Sequence, residues 1–191
     1  MFVGRKIIRC TLDTKDINRA IKEIEKYKKE FQKKIDTYRK RIAEEIAVNA
    51  SFNFGSSVIE DVVGTVEKID GKNKLILGGS PRRPDVEVSV SERESITVVV
   101  ADGKDAIWCE FGAGVYHNGS VGSSPHPYGQ DLGFTIGNYG EGHGKQNVWG
   151  FVNKDGKVIV TRGTPASMPM YNATQEVMRK AIDIAREVFN D

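Results

Sequence analysis

The stretch DTKDINRAIKEIEKYKKEFQKKIDTYRKRIAEEIAVNASFNF, residues 13 to 54, contains neither glycine nor proline. Within it Ile17, Ile21, Ile24, Phe31, Ile35, Tyr38, Ile42 and Ile46 recur at intervals of three, four and seven. That spacing lines one face of an α-helix. Asp13 or Thr14 is suited to cap its start, and Asn53-Phe54-Gly55 to end it. About 38 helical residues make a rod of roughly 55 Å, whereas a domain of this chain's length is about 40 Å across. A straight helix would overhang its own domain. Either it bends or breaks in KYKKEFQKK, residues 26 to 34, where Lys28 fills a slot the stripe would give to an apolar side chain, or part of the stripe packs on another subunit.

Working outward, the chain of 191 residues is read as one domain, 1 to 191, large enough for one core. It is 39% hydrophobic and 28% charged with a net charge of +2, which describes a globular protein with no overall bias toward polyanions. No run of eighteen apolar residues exists, so no membrane span is expected. The start, MFVGRKIIRCTLD, lacks an apolar signal core, so cytoplasmic synthesis is expected. Cys10 and Cys109 are read as free thiols, Cys109 as buried within the apolar run AIWCEF.

Residues 2 to 12 are β-branched enough for a strand, and short strands or extended segments are expected between 56 and 84. Val86, Val88 and Val90, then Ile96, Val98 and Val100, alternate around SERES and predict an antiparallel hairpin. DAIWCEFG, 105 to 112, reads as a strand or a short helical piece. A second hairpin is expected in NVWGFVNKDGKVIVTRG, turning at Asp155-Gly156. Residues 167 to 190 predict a C-terminal helix capped by Ser167, with Pro169 in its first turn and Val177, Ala181, Ile184, Val188 and Phe189 on its buried face. The expected fold class is therefore α+β: long N-terminal and C-terminal helices packed on a small antiparallel sheet.

Residues 112 to 150 stand apart. Eleven of these 39 residues are glycine and only Asp131, Glu141 and Lys145 are charged, while Tyr116, Tyr128, Phe134, Tyr139 and Trp149 are scattered among them. A loop this long tends to be a binding segment or a disordered one, and its low charge and aromatics fit one that orders against a partner. GNYGEGHGKQ is not a phosphate loop: Gly144-Lys145 is followed by Gln146, and Tyr139 stands where the first glycine belongs.

Chemistry-bearing constellations are sparse. His117, His126 and His143 all fall in the glycine-rich region, but no pair has short ligand spacing and carboxylates are few, so no metal site or cofactor is expected. Glu44-Glu45 and Glu60-Asp61 are adjacent pairs whose members diverge on a helix or strand. No Gly-x-Ser-x-Gly elbow is present, and no enzymatic activity is expected. A basic helix face of Lys15, Arg19, Lys22, Lys26, Lys29 and Lys33, joined by Arg82 and Arg83, offers an alternative reading as a nucleic-acid binder. Interspersed Glu23, Glu25, Glu30 and Asp36 favour a solvated face instead, and specific nucleic-acid binding is not expected.

Two motifs, EFGAG at Glu110 to Gly114 and GTPASMPMYNA at Gly163 to Ala173, occur in a telling order with the long helix, the glycine-rich loop and the last helix. The sequence resembles the tail-completion or head–tail joining family of long-tailed bacteriophages and prophages, often labelled minor tail component. That family has an EFGT strand end before an extended loop and a G-x-PA-x-PF/M motif opening the last helix. Here Ala113 replaces the common threonine and Met170 the common phenylalanine. A GKGKQ-x-x-WG pattern is matched by Gly142, Gly144, Lys145, Gln146, Trp149 and Gly150, while residues 56 to 84 look like an insertion. The resemblance implies a non-enzymatic virion protein of the neck, made in the host cytoplasm, forming a homo-oligomeric ring and meeting tail-tube and head-connector proteins. The interface candidates are Glu110, Phe111, Gly112, Tyr116, Tyr139, Trp149, Pro165, Pro169 and Met170. The blander role for the same motifs is to end a strand and to set the start of a helix.

Overall fold

The stripe of residues 13 to 54 becomes α1, Thr14–Ser56, a single helix of 43 residues in the computed structural model. The structure describes residues 7–9, 11, 13–59, 62–79, 81–114, 124–129, 131–132 and 148–190. At 1.5 Å per residue α1 is about 65 Å long. The long helix read over 13 to 54 is therefore unbroken, and of the two alternatives left open for its length a break in residues 26 to 34 does not occur. Lysine, glutamate and glutamine are good helix formers with no backbone reason to stop, and Lys26–Glu30 and Gln32–Asp36 contacts at 3.8 and 3.2 Å run along this stretch. Lys28 simply faces solvent. Asp13 precedes the helix in an extended conformation and accepts the Ile17 N–H on its backbone carbonyl at 3.0 Å, not on its side chain. Residues 7–9 and 11 form no strand; the remainder of the strand expected over 2 to 12 lies outside the described residues.

The C-terminal helix, α3, spans Pro169–Asn190 and runs antiparallel along α1. Asn53 Nδ2 donates to the Pro169 carbonyl at 3.2 Å at one end, and Lys34 Nζ reaches the Phe189 carbonyl at 3.5 Å at the other. Between them Val177 and Ile184 are buried, and Tyr38 Oη donates to the Ala181 carbonyl at 3.3 Å.

The neighbouring face of α1 carries a hairpin of β3 (Glu87–Arg93) and β4 (Ile96–Asp102). Arg39 donates to the Glu94 carbonyl at its tip and Lys40 pairs with Glu92. The hairpin lies where the alternation put it, but β4 shows the opposite face. The register pairs Val90 with Val99 and Val88 with Ala101, turning these half-buried residues inward. Ile96, Val98 and Val100 face outward. The two-residue turn at Glu94-Ser95 fixes that register, and a shift of one residue is what separates the two faces of a strand.

The remaining strands make a four-stranded antiparallel sheet in the order β2-β1-β7-β6, from β1 (Val62–Ile69), β2 (Lys72–Leu77), β6 (Trp149–Val152) and β7 (Val158–Thr161). Residues 56 to 84 thus contribute one hairpin of this sheet, turned by Asp70 and Gly71 at φ 52° and 75°. The β6–β7 turn is held by Asn153 Oδ1, which accepts the N–H groups of Asp155 and Lys157 at 3.0 and 2.9 Å. The α+β fold read from the sequence is the fold observed. Its small core is Phe54, Ile59 and Cys109, with Val86, Val88, Ala101, Ala106 and Met170 packed against it. Among the described residues no helix is long and apolar enough to cross a membrane.

Candidate functional site

The short helix α2, Ala106–Phe111, delivers the EFG motif to the start of α3. Cys109 at its inner face is fully buried, and burial, reinforced by the nearby Asp105 and Glu110 charges, pushes its thiol up to about 12, so it stays protonated and unreactive. Glu110 is the next residue. Its carboxylate, only 8% exposed as a residue, turns to the first turn of α3 and accepts the N–H of Met170 on Oε2 and that of Tyr171 on Oε1, both at 2.8 Å. A helix start carries unpaired N–H donors and partial positive charge, and a carboxylate satisfies both. Glu110 is therefore the cap of α3, supplied from sixty positions upstream.

Ser167 was the expected cap, and the structure corrects that. Its hydroxyl lies 2.7 Å from Ser57 Oγ and 3.3 Å from the Cys109 carbonyl, while its N–H donates to the same carbonyl at 2.9 Å. Ser167 ties the PASMPM segment to α2 and to the end of α1. The backbone turns sharply at Met168, φ 52°, and Pro169 starts the helix fully buried.

Gly112 ends α2 at φ 77°, a conformation that disfavours side chains. A Cβ there would sit 3.0 Å from the backbone nitrogen and side chain of Ala166. The glycine therefore lets two motif segments touch. Beyond it, β5 (Ala113–Gly114) pairs with β8 (Gly163–Thr164), zipping the same segments together.

The described part of the glycine-rich region docks on this junction through His126. The ring is buried; its Nε2 lies 3.1 Å from Glu110 Oε1 and its Nδ1 accepts the Tyr128 N–H at 3.1 Å. An acceptor at Nδ1 leaves the ring proton on Nε2, donated to Glu110. Phe111 packs at 4.5 Å between ring centroids, Tyr171 meets the imidazole edge-on at 5.3 Å, and Tyr128 completes the group at 5.8 Å. Ser124 Oγ donates to the Phe111 carbonyl at 2.5 Å. Glu110 thus sits at the crossing of three segments: α2, the start of α3 and the 124–129 turn.

A second anchor sits behind it. Arg82 grips Asp105 with both guanidinium ends, at 2.6 and 2.8 Å, and the Asp85 N–H adds a third bond at 2.8 Å. The Arg82 hydrogen bonds hold the Asp105 carboxyl below its ordinary value, against the opposing effect of burial. Arg82 is thereby committed to a structural pair.

Of the sequence-chosen residues, Glu110, Phe111, Gly112, Pro165, Pro169 and Met170 come together at this junction; Pro165 is half-buried and Met170 packs on the core. Trp149 begins β6. Tyr116 and Tyr139 lie outside the described residues, as do His117 and His143. His126 and Tyr171 were missed as members, because their partners are distant in sequence; Tyr171 lies within GTPASMPMYNA, but nothing in the motif itself marks its contact with His126. Among the described residues no cluster of three His, Cys, Asp or Glu is arranged to hold a metal ion. No protein-family model matches the chain, and neither a curated protein nor a solved structure matches it.

Proposed function

We propose that this chain is a structural assembly protein of a phage or prophage, completing or joining the tail at the head–tail neck through contacts between copies and with tail-tube and connector proteins. The observation that carries the reading is the convergence of EFGAG and GTPASMPMYNA, the motifs behind the resemblance, on the one carboxylate of Glu110. Polar groups at this junction are occupied with each other: Glu110 with two backbone N–H groups and His126, Ser167 with Ser57 and Cys109. That suits a scaffold holding a binding segment better than a reaction centre, which needs groups aimed at a substrate. The uncovered apolar side chains of α1 supply surface for association, since exposed apolar patches mark contact sites.

The nucleic-acid alternative has weaker support. Lys22, Lys26, Lys29 and Lys33 share their surface with Glu25 and Glu30, and Arg82 is bound to Asp105. The test is the mass of the chain alone and mixed with tail-tube or connector protein of the same phage. Formation of a ring or a mixed complex supports the proposal; a chain that stays inert toward every neck and tube component contradicts it. A salt-sensitive complex with duplex DNA would favour the alternative.

A further inference from the structure

Residues 17 to 42 of α1 keep a strict heptad. Ile17, Ile24, Phe31 and Tyr38 fall at one core position, and Ile21, Lys28, Ile35 and Ile42 at the other. A sustained seven-residue repeat turns one seam continuously toward a neighbouring helix. In the upper half that neighbour is α3: the Phe189 ring lies 5.7 Å from Phe31 and 6.2 Å from Tyr38 between centroids. The helix α3 then ends at Asn190. The same seam runs on toward Thr14, and there Ile17, Ile21 and Ile24 are 39%, 47% and 54% exposed.

We infer that a second copy of this chain covers the free seam, the two α1 arms pairing antiparallel about a two-fold axis between Ile21 and Ile24. The length decides the register. With Ile21 against Ile24 of the other copy, Ile17 meets Lys28, and Thr14 meets Phe31. The second arm then stops where α3 ends, at Phe189 and Asn190. Sliding one heptad toward the body drives the second arm's first turn into Phe189, and sliding the other way leaves Ile24 at the margin. Charge decides the direction. Parallel arms would set Lys28 against Lys28 in the seam, whereas antiparallel arms place each Lys28 beside the acidic first turn of the other copy, which carries Asp13 and Asp16. Tyr27 and Phe31, 41% and 40% exposed, flank the contact. With the three isoleucines they leave roughly 500 Å² per copy to hide, about 1,000 Å² in all, the scale of a weak specific interface. This pairing is a property of the free chain, distinct from a neck ring, and holds whether or not the chain works in a virion.

The experiment uses the full chain with Cys10→Ser, leaving only the buried, inert Cys109. Sedimentation equilibrium should give a monomer–dimer equilibrium. The pair Ile21→Glu with Ile24→Glu should weaken it at least tenfold, roughly 1.4 kcal/mol or more, with an unchanged helical circular dichroism signal. The pair Val48→Glu with Phe52→Glu, on exposed α1 positions nearer the body, should leave it unchanged. Under mild oxidation Ile21→Cys with Ile24→Cys should link copies efficiently, and Ile24→Cys alone should not. A monomer at every concentration overturns the pairing, as does a dimer indifferent to the Ile21 and Ile24 changes or abolished by those at Val48 and Phe52. Efficient linkage by Ile24→Cys alone marks parallel arms and overturns it too, and so does an arm that binds only tail-tube protein.

Discussion

Glu110 Oε2 accepts the Met170 N–H at 2.8 Å across sixty positions of chain. The bond joins the two motifs that single this sequence out, and it makes the start of α3 depend on α2. Glu110→Ala should therefore remove the cap, leave two helix N–H donors unpaired and free the His126 proton. The expected loss is about 2 kcal/mol of unfolding free energy. Urea unfolding checks the size, and amide exchange checks the place: Met170 and Tyr171 should exchange faster in the variant. Unchanged exchange at both amides would show that Glu110 is not their acceptor in solution.

His126→Ala should act on the same junction from the other side. It removes a buried ring in contact with Phe111, Tyr128 and Tyr171, along with one bond to Glu110. A loss of about 2 kcal/mol is expected from the cavity and the lost bond together. A double cycle with Glu110→Ala should show non-additivity, because the two side chains share a contact. Strict additivity would mean the observed pair contributes nothing.

Gly112→Ala should destabilise by about 1–3 kcal/mol. Its φ of 77° disfavours a side chain, and the added methyl would crowd Ala166. Gly71→Ala provides the contrast. Its φ is similar, 75°, but nothing lies within 4 Å of the added methyl, so only the backbone term applies and the loss should be smaller. Thermal melts of the two variants side by side decide the matter.

The Arg82–Asp105 pair sets a pH dependence. The folded carboxyl is held below its ordinary value of 3.8, so its contribution is complete above that value and disappears as pH falls through the lower folded value. Arg82→Leu should cost about 2 kcal/mol near neutral pH, moderated by the partial exposure of the arginine. The gap between the variant and the parent should narrow as pH drops below about 3.8. Urea midpoints measured from pH 7 to pH 3 test this; a constant gap would contradict the pairing.

The two long helices, the β3–β4 and β6–β7 hairpins and the burial of Cys109 were legible because they rest on local signals: periodicity, turn chemistry and apolar runs. Residues 56 to 84 were read only as short strands or extended segments, not as the β1–β2 hairpin they form. The outward face of β4 was not, since Ile96-Thr97-Val98-Val99-Val100 offers apolar residues to both faces and only the turn register chooses between them. Whether α1 ran on unbroken through Lys28 stayed open, because a gap in an apolar stripe says who packs there, not whether the backbone continues. The candidate junction was half legible. Glu110, Gly112, Pro165 and Pro169 belong to compact motifs, but the capping role of Glu110 and the docking of His126 are tertiary relationships that no spacing encodes. Ser167 looked like a cap because local rules favour a nearby hydroxyl, and a buried carboxylate delivered by α2 took its place.

We propose that this chain assembles phage particles rather than transforming a molecule. The most direct measurement is electron microscopy of lysates from the parent phage or prophage with the reading frame deleted and then supplied in trans. The account predicts filled heads and separate tails in the deletion, with joined particles restored by the wild-type chain. Intact, infectious particles formed at the normal yield without the chain would contradict it.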